Sequence, residues 1–140
     1  MEMMTSRPKL LSFRALSFHG DNKGPADGQD EWSFELKQEI NLGLAVPTVA
    51  GGVLQAVVRI GLNAQALKQN ASQGQSTFAA QYEAKFDYPA AMTEKDVAPL
   101  FEQEPHKYLL VAQAFPLAMT HFRRELQSMG FDARSLPLGL

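Results

Sequence analysis

The sequence predicts an α+β domain: a four-stranded antiparallel sheet covered on one face by a long, proline-kinked C-terminal helix. Three observations carry that prediction. Four segments alternate apolar and polar residues with a period of two. The two most regular of them are joined by a turn too short for a crossover, so they pair as an antiparallel hairpin. After Pro89 the apolar period changes to about 3.6 residues, that of an amphipathic helix. A helix with one apolar stripe and a sheet with one apolar face each need a cover, and each can cover the other.

In the hairpin (54–88), Leu54, Ala56, Val58, Ile60, Leu62, Ala64 and Ala66 alternate with Gln55, Arg59, Gly61, Asn63 and Gln65. Beyond a polar turn at 68–75, Phe78, Ala80, Tyr82, Ala84, Phe86 and Tyr88 alternate with Thr77, Gln81, Glu83, Lys85 and Asp87. Segment 10–18 predicts a first strand, bulged because its alternation slips once. Segment 20–30, with three glycines and a proline, is a loop long enough for either a reversal or a crossover. Trp32, Phe34, Leu36, Ile40 and Leu42 define a further strand over 32–42, interrupted in its apolar row only by Gln38. Segment 43–52, with Pro47, reads as a small-residue loop.

Pro89 to Met92 turns the chain, and Thr93 with Asp96 resembles a capping box opening a helical turn that Pro99 keeps short. Pro105 suits a first helical position. The stripe Tyr108, Val111, Ala112, Phe115, Ala118, Met119, Phe122, Leu126 and Met129 follows, and Gly130 ends it. Pro116, inside the stripe, removes one hydrogen bond and crowds the Ala112 carbonyl, which predicts a kink or a split. Segment 131–140 is extended and apolar and should pack.

With 140 residues, the chain reads as one domain over 1–140 with a frayed tail at 1–9. Its net charge of −2 gives no electrostatic case for nucleic acid or an anionic membrane. The absence of cysteine excludes disulfides, a thiolate nucleophile and Cys-type zinc sites. No run reaches membrane-spanning length, so a soluble cytoplasmic protein is expected. His121 and Glu125 lie one turn apart and His106 begins the helix, but a metal would need a third ligand. No Ser sits in a nucleophile elbow, and neither glycine cluster has a phosphate loop's spacing and lysine. The sequence therefore points away from an enzyme and away from any cofactor, towards a function carried by surfaces.

Several strings, in order, resemble the SecB protein-export chaperone family. Leu16-Ser17-Phe18 is similar to the triplet that closes its first strand. Asp30-Glu31-Trp32 with Glu35-Leu36-Lys37 resembles its second strand after the crossover loop. Ala56-Val57-Val58-Arg59-Ile60 resembles the aliphatic third strand with its embedded Arg. Phe78 and Phe86 stand near the two phenylalanines of the fourth. Phe115-Pro116, Gly130-Phe131 and Leu136-Pro137-Leu138 resemble the family's Phe-Pro helix start, its Gly-x-Phe turn and its Leu-rich close. The resemblance implies an ATP-independent holdase, a homotetramer built as a dimer of dimers, that holds unfolded polypeptides in apolar grooves. It implies no cofactor and no metal. The SecA motor is a family partner, but the acidic tail that contacts it has no counterpart before Leu140.

For such a surface, Phe18, Trp32, Phe34, Phe86, Tyr88 and Phe101 are the candidate groove aromatics, although burial statistics assign about half of these to ordinary core. Tyr108, Phe115, Met119 and Phe122 are the candidate oligomer contacts. Within the same class stands a chaperone dedicated to one client, such as an antitoxin. The alternatives are a non-holdase adaptor and, last, a small enzyme built on His121 and Glu125.

Overall fold

The computed structural model describes residues 7–21, 32–68, 76–133 and 136, with backbone alone for 32, 33, 67 and 68. Four strands, β1 (Lys9–Asp21), β2 (Trp32–Ala45), β3 (Gln55–Lys68) and β4 (Ser76–Asp87), precede a short helix α1 (Glu94–Val97), a 3-10 turn (Ala98–Glu102) and a long helix α2 (Glu104–Ser128). The four strands form one antiparallel sheet in the order β1-β4-β3-β2. β1 and β2, although consecutive in sequence, therefore occupy opposite edges. The connection between them, like the turn at 69–75 and the end at 137–140, lies outside the described residues.

Register follows from the alternation, because a slip of one residue would turn every apolar side chain to the wrong face. β3 pairs with β4 from Gln55↔Asp87 to Ala66↔Ser76 without a shift. This sets Ala56, Val58, Ile60, Leu62, Ala64 and Ala66 beside Phe86, Ala84, Tyr82, Ala80, Phe78 and Ser76, all 2% exposed or less. β2 runs on to Ala45, three residues beyond Leu42, where the sequence reading placed a loop; Gly43 and Ala45 stay paired with Val57 and Gln55. β1 is bulged as expected, at two places rather than one, and the residues squeezed out of register are Leu11 and Leu16.

Helix α2 lies across the apolar face over β3, β4 and β1. It buries Leu110, Val111, Ala114, Phe115, Ala118, Met119, Phe122 and Leu126. Leu110 and Ala114 replace Tyr108 and Ala112 of the expected stripe, since Tyr108 is 59% exposed. Pro116 sits inside one continuous helix, so the chain does not split there. At the far end, Gly130 adopts φ 92°, a left-handed conformation that favours glycine. The Gly130 N–H then donates to the Gln127 carbonyl (3.0 Å) and the Phe131 N–H to the Leu126 carbonyl (3.0 Å), a Schellman stop. It turns Phe131, Ala133 and Leu136 back into the core.

The expected capping box is present at α1, where the Asp96 carboxylate accepts from the Thr93 N–H (2.9 Å) and hydroxyl (3.0 Å). Those two bonds hold the Asp96 carboxyl below the usual carboxylate range.

Candidate functional site

The inner face of the sheet is not covered evenly. In β2, Phe34, Leu36, Ile40, Leu42 and Leu44 are only half-buried, while their β3 partners Ala66, Ala64, Ile60, Val58 and Ala56 are fully buried. The helix packs over β3, β4 and β1 and leaves this edge row half open, as it leaves Phe13 and Phe18 of β1. From Phe34 to Leu44 the row spans roughly 33 Å at the usual strand rise, enough for about ten residues of extended chain. Phe131, folded back by the Schellman stop, closes one end by meeting Phe34 edge-on (centroids 6.0 Å apart). Gln38 puts one polar group in the middle of the row, and Glu35, Lys37 and Glu39 alternate in sign on the opposite, exposed face of the strand. The arrangement offers apolar surface, with no chemistry in the row beyond burial and hydrogen bonding.

Tyr82 of β4 and Tyr88, the residue just past its end, anchor α2 to the sheet. The Tyr82 hydroxyl lies 2.8 Å from His121 Nδ1, and the Tyr88 hydroxyl 2.7 Å from His106 Nε2. Burial raises both phenol pKa values, with the Glu125 charge adding to the effect at Tyr82, so both phenols stay protonated. Burial also holds His106 below the ordinary histidine range, which leaves it neutral and able to accept from Tyr88. His121 Nε2 faces Glu125 Oε1 at 3.6 Å, too far for a hydrogen bond. Among the described residues, no group of three or more His, Asp or Glu is placed to hold a metal ion. Nor is any helix among them long and apolar enough to cross a membrane.

On the outer face, Glu83 is the buried charge. Its carboxylate accepts from Arg14 on β1 (Nε 3.1 Å, Nη2 2.9 Å) and from Arg59 on β3 (Nε 3.2 Å). Burial alone would raise its pKa. The hydrogen bond and charge of Arg14, then the bond from Arg59, outweigh that and hold the carboxyl below its usual range. A shallow hollow of about 340 Å³ opens on the same face, lined by His19, Asp21, Asn63, Gln65 and Thr77 among others.

The five candidate groove aromatics whose side chains are described do not share a wall. Phe34 belongs to the open row on β2. Phe18 stands on the other edge strand, half-buried between Phe78 (6.5 Å) and Phe122 (6.1 Å). Phe86, on a strand interior to the sheet and under the helix, and Tyr88, one residue past that strand, are both sealed in the core. Phe101, half-buried, packs on His106 at 5.7 Å. The Trp32 side chain lies outside the described residues. Of the four candidate oligomer contacts, Phe115, Met119 and Phe122 are 1% exposed or less, pointing into the chain's own core. The fourth candidate, Tyr108, is 59% exposed, and with Leu117, 39% exposed, it gives the outer side of α2 its large apolar surface. Leu36, Ile40, Leu42 and Leu44 escaped the sequence reading as site residues. Alternation marks which face a residue takes, and says nothing about whether a helix reaches that far.

No protein-family model matches this sequence, and no curated protein matches it. Solved structures do match. One is a SecB-like chaperone of Mycobacterium tuberculosis in complex with a ChAD peptide from the HigA1 antitoxin, at TM-score 0.65 and 15% identity, covering 97% of this chain and 93% of that one. The chain has a SecB-like fold.

Proposed function

We propose that this protein is an ATP-independent holdase that binds non-native polypeptide along the open apolar row of β2. One observation carries the reading: a SecB-like fold over nearly the whole chain leaves an apolar row, broken only by Gln38, half-covered at the sheet edge. Surface of that kind accepts many sequences, since burial of apolar side chains needs no fixed polar pattern. In this reading the protein works in the cytoplasm as a homo-oligomer, a dimer of dimers, and Phe34 and Phe101 contribute to the binding surface.

The test is light scattering of an unrelated aggregating protein, with and without this chain, alongside its mass in solution. Suppression near stoichiometry is expected, and Ile40→Glu should abolish it while the circular dichroism spectrum stays that of the parent. A folded assembly that suppresses nothing would count against a general holdase. It would favour a second reading, a chaperone dedicated to one client, motivated by the antitoxin peptide bound to the mycobacterial structure.

A further inference from the structure

The outer face of the sheet holds its charges unevenly. Cross-strand partners share a face, so the register sets Lys9 beside Asp87, with Lys85 in the next tier. Arg14, Glu83 and Arg59 make the tier after that. This end of the face thus carries Lys9, Lys85, Arg14 and Arg59 against Asp87 and Glu83. The other end carries Asp21, Glu35 and Glu39 against Lys37. A chain of net charge −2 therefore presents a positive half-face beside a negative one.

In the positive half the two carboxylates lie low. The Glu83 side chain is 4% exposed beneath arginines that are each 63% exposed. Half-buried Asp87 accepts from Gln55 Nε2 at 2.8 Å. What meets solvent is the cations. Glu83 also orients both guanidinium groups, taking Nε and Nη2 of Arg14 and Nε of Arg59. A guanidinium has five N–H donors, so each keeps donors for a second acceptor, already held in place. Lys9 and Lys85 form no ion pair among the described residues.

From Asp87 to Glu83 the positive half-face runs about 13 Å along the strands, and from β1 to β3 about 10 Å across them. Charges that close act together at ordinary salt, where the screening length is about 10 Å. The size suits a few residues of extended polypeptide. A nucleic acid, with a charge every ~1.7 Å of duplex, would run off the patch onto the acidic half. We infer that this half of the outer face docks a short acidic segment of a partner protein, its carboxylates meeting Lys9, Lys85 and the free edges of Arg14 and Arg59. The guanidinium fork matches a carboxylate in geometry as well as charge. The half-open row of β2 lies on the inner face, so the two surfaces can be occupied together.

The probe is a short fluorescent peptide of Glu, Asp and Ser, compared on the full chain with its Gln, Asn and Ser counterpart. The acidic peptide should bind, the neutral one should not, and added salt should weaken the complex. Lys9→Gln combined with Lys85→Gln leaves the Glu83 pairs in place. It should lower affinity roughly five- to tenfold, the worth of two exposed ion pairs, with the circular dichroism spectrum of the parent. Lys37→Gln, at the acidic end of the same face, should leave the affinity as it was. Equal binding of the two peptides, no binding of the acidic one, or an unchanged affinity in the double lysine variant overturns the inference. An oligonucleotide of matched charge that binds more tightly than the peptide, and is lost with the same lysines, overturns it in favour of nucleic acid. A peptide-free dimer that dissolves in the double variant would also overturn it, with the acidic half of a second copy in the partner's place.

Discussion

Among the described residues, Glu83 is the one carboxylate the sheet buries on its polar face, with a side chain 4% exposed beneath two arginine side chains that are each 63% exposed. Because the arginines stay hydrated, the pairs count as exposed ones, and Glu83→Gln should cost about 1 kcal/mol in urea unfolding at neutral pH. The sign of the pH effect follows from the lowered pKa. The contribution is complete above the ordinary carboxylate value and is lost as pH falls through the lower folded value. Parent and variant should therefore converge in acid, and a constant gap would contradict the pairing. His106 behaves likewise for a different reason. Burial lowers its pKa, so its neutral form stabilises the fold above roughly pH 6.5, and that stability fades as pH falls towards the folded value. His106→Gln keeps an acceptor for Tyr88 without a titrating charge. Melting temperature should then fall less steeply between neutral and mildly acidic pH than in the parent.

At the scale of elements, the end of α2 governs more than its own length. An alanine at Gly130 meets no neighbouring atom within 4 Å, so Gly130→Ala tests backbone strain alone, at φ 92°. A loss of about 1 kcal/mol is expected in chemical denaturation; no loss would mean that the stop rearranges. The alternation made the strands, their pairing in the hairpin and the inner face legible, because a period of two is a local signal. Gly130 and the capping box at Thr93 were legible for the same reason. The crossover was not, since nothing local to 20–30 distinguishes pairing with β2 from pairing with β4. The candidate site was legible only in part. Phe34 was marked as an aromatic, but the aliphatic residues of its row were indistinguishable from core until the helix was seen to stop short of them.

For the whole molecule, the same geometry decides what a helix substitution tests. Phe122 is fully buried against Phe18 and the sheet. Phe122→Glu would bury an unpaired carboxylate, at a cost of several kcal/mol, comparable to the stability of a domain this size. The expected outcome is loss of the folded chain by circular dichroism; a folded smaller assembly would place Phe122 between subunits instead. Tyr108→Glu, on the outer side of α2, should leave the fold intact, and sedimentation then shows whether that side joins copies.

The crossed order of the strands also bears on how the protein is made. Arg14 meets Glu83 across 69 positions of sequence, so β1 leaves the ribosome long before the strand it pairs with exists. β2, β3 and β4 form a meander of local contacts and can assemble as they emerge. Through that interval β1 waits with Leu10, Leu11, Phe13, Leu16 and Phe18 uncovered. Its two bulges, which spoil it as a template for other chains, then protect the nascent protein as much as the finished one.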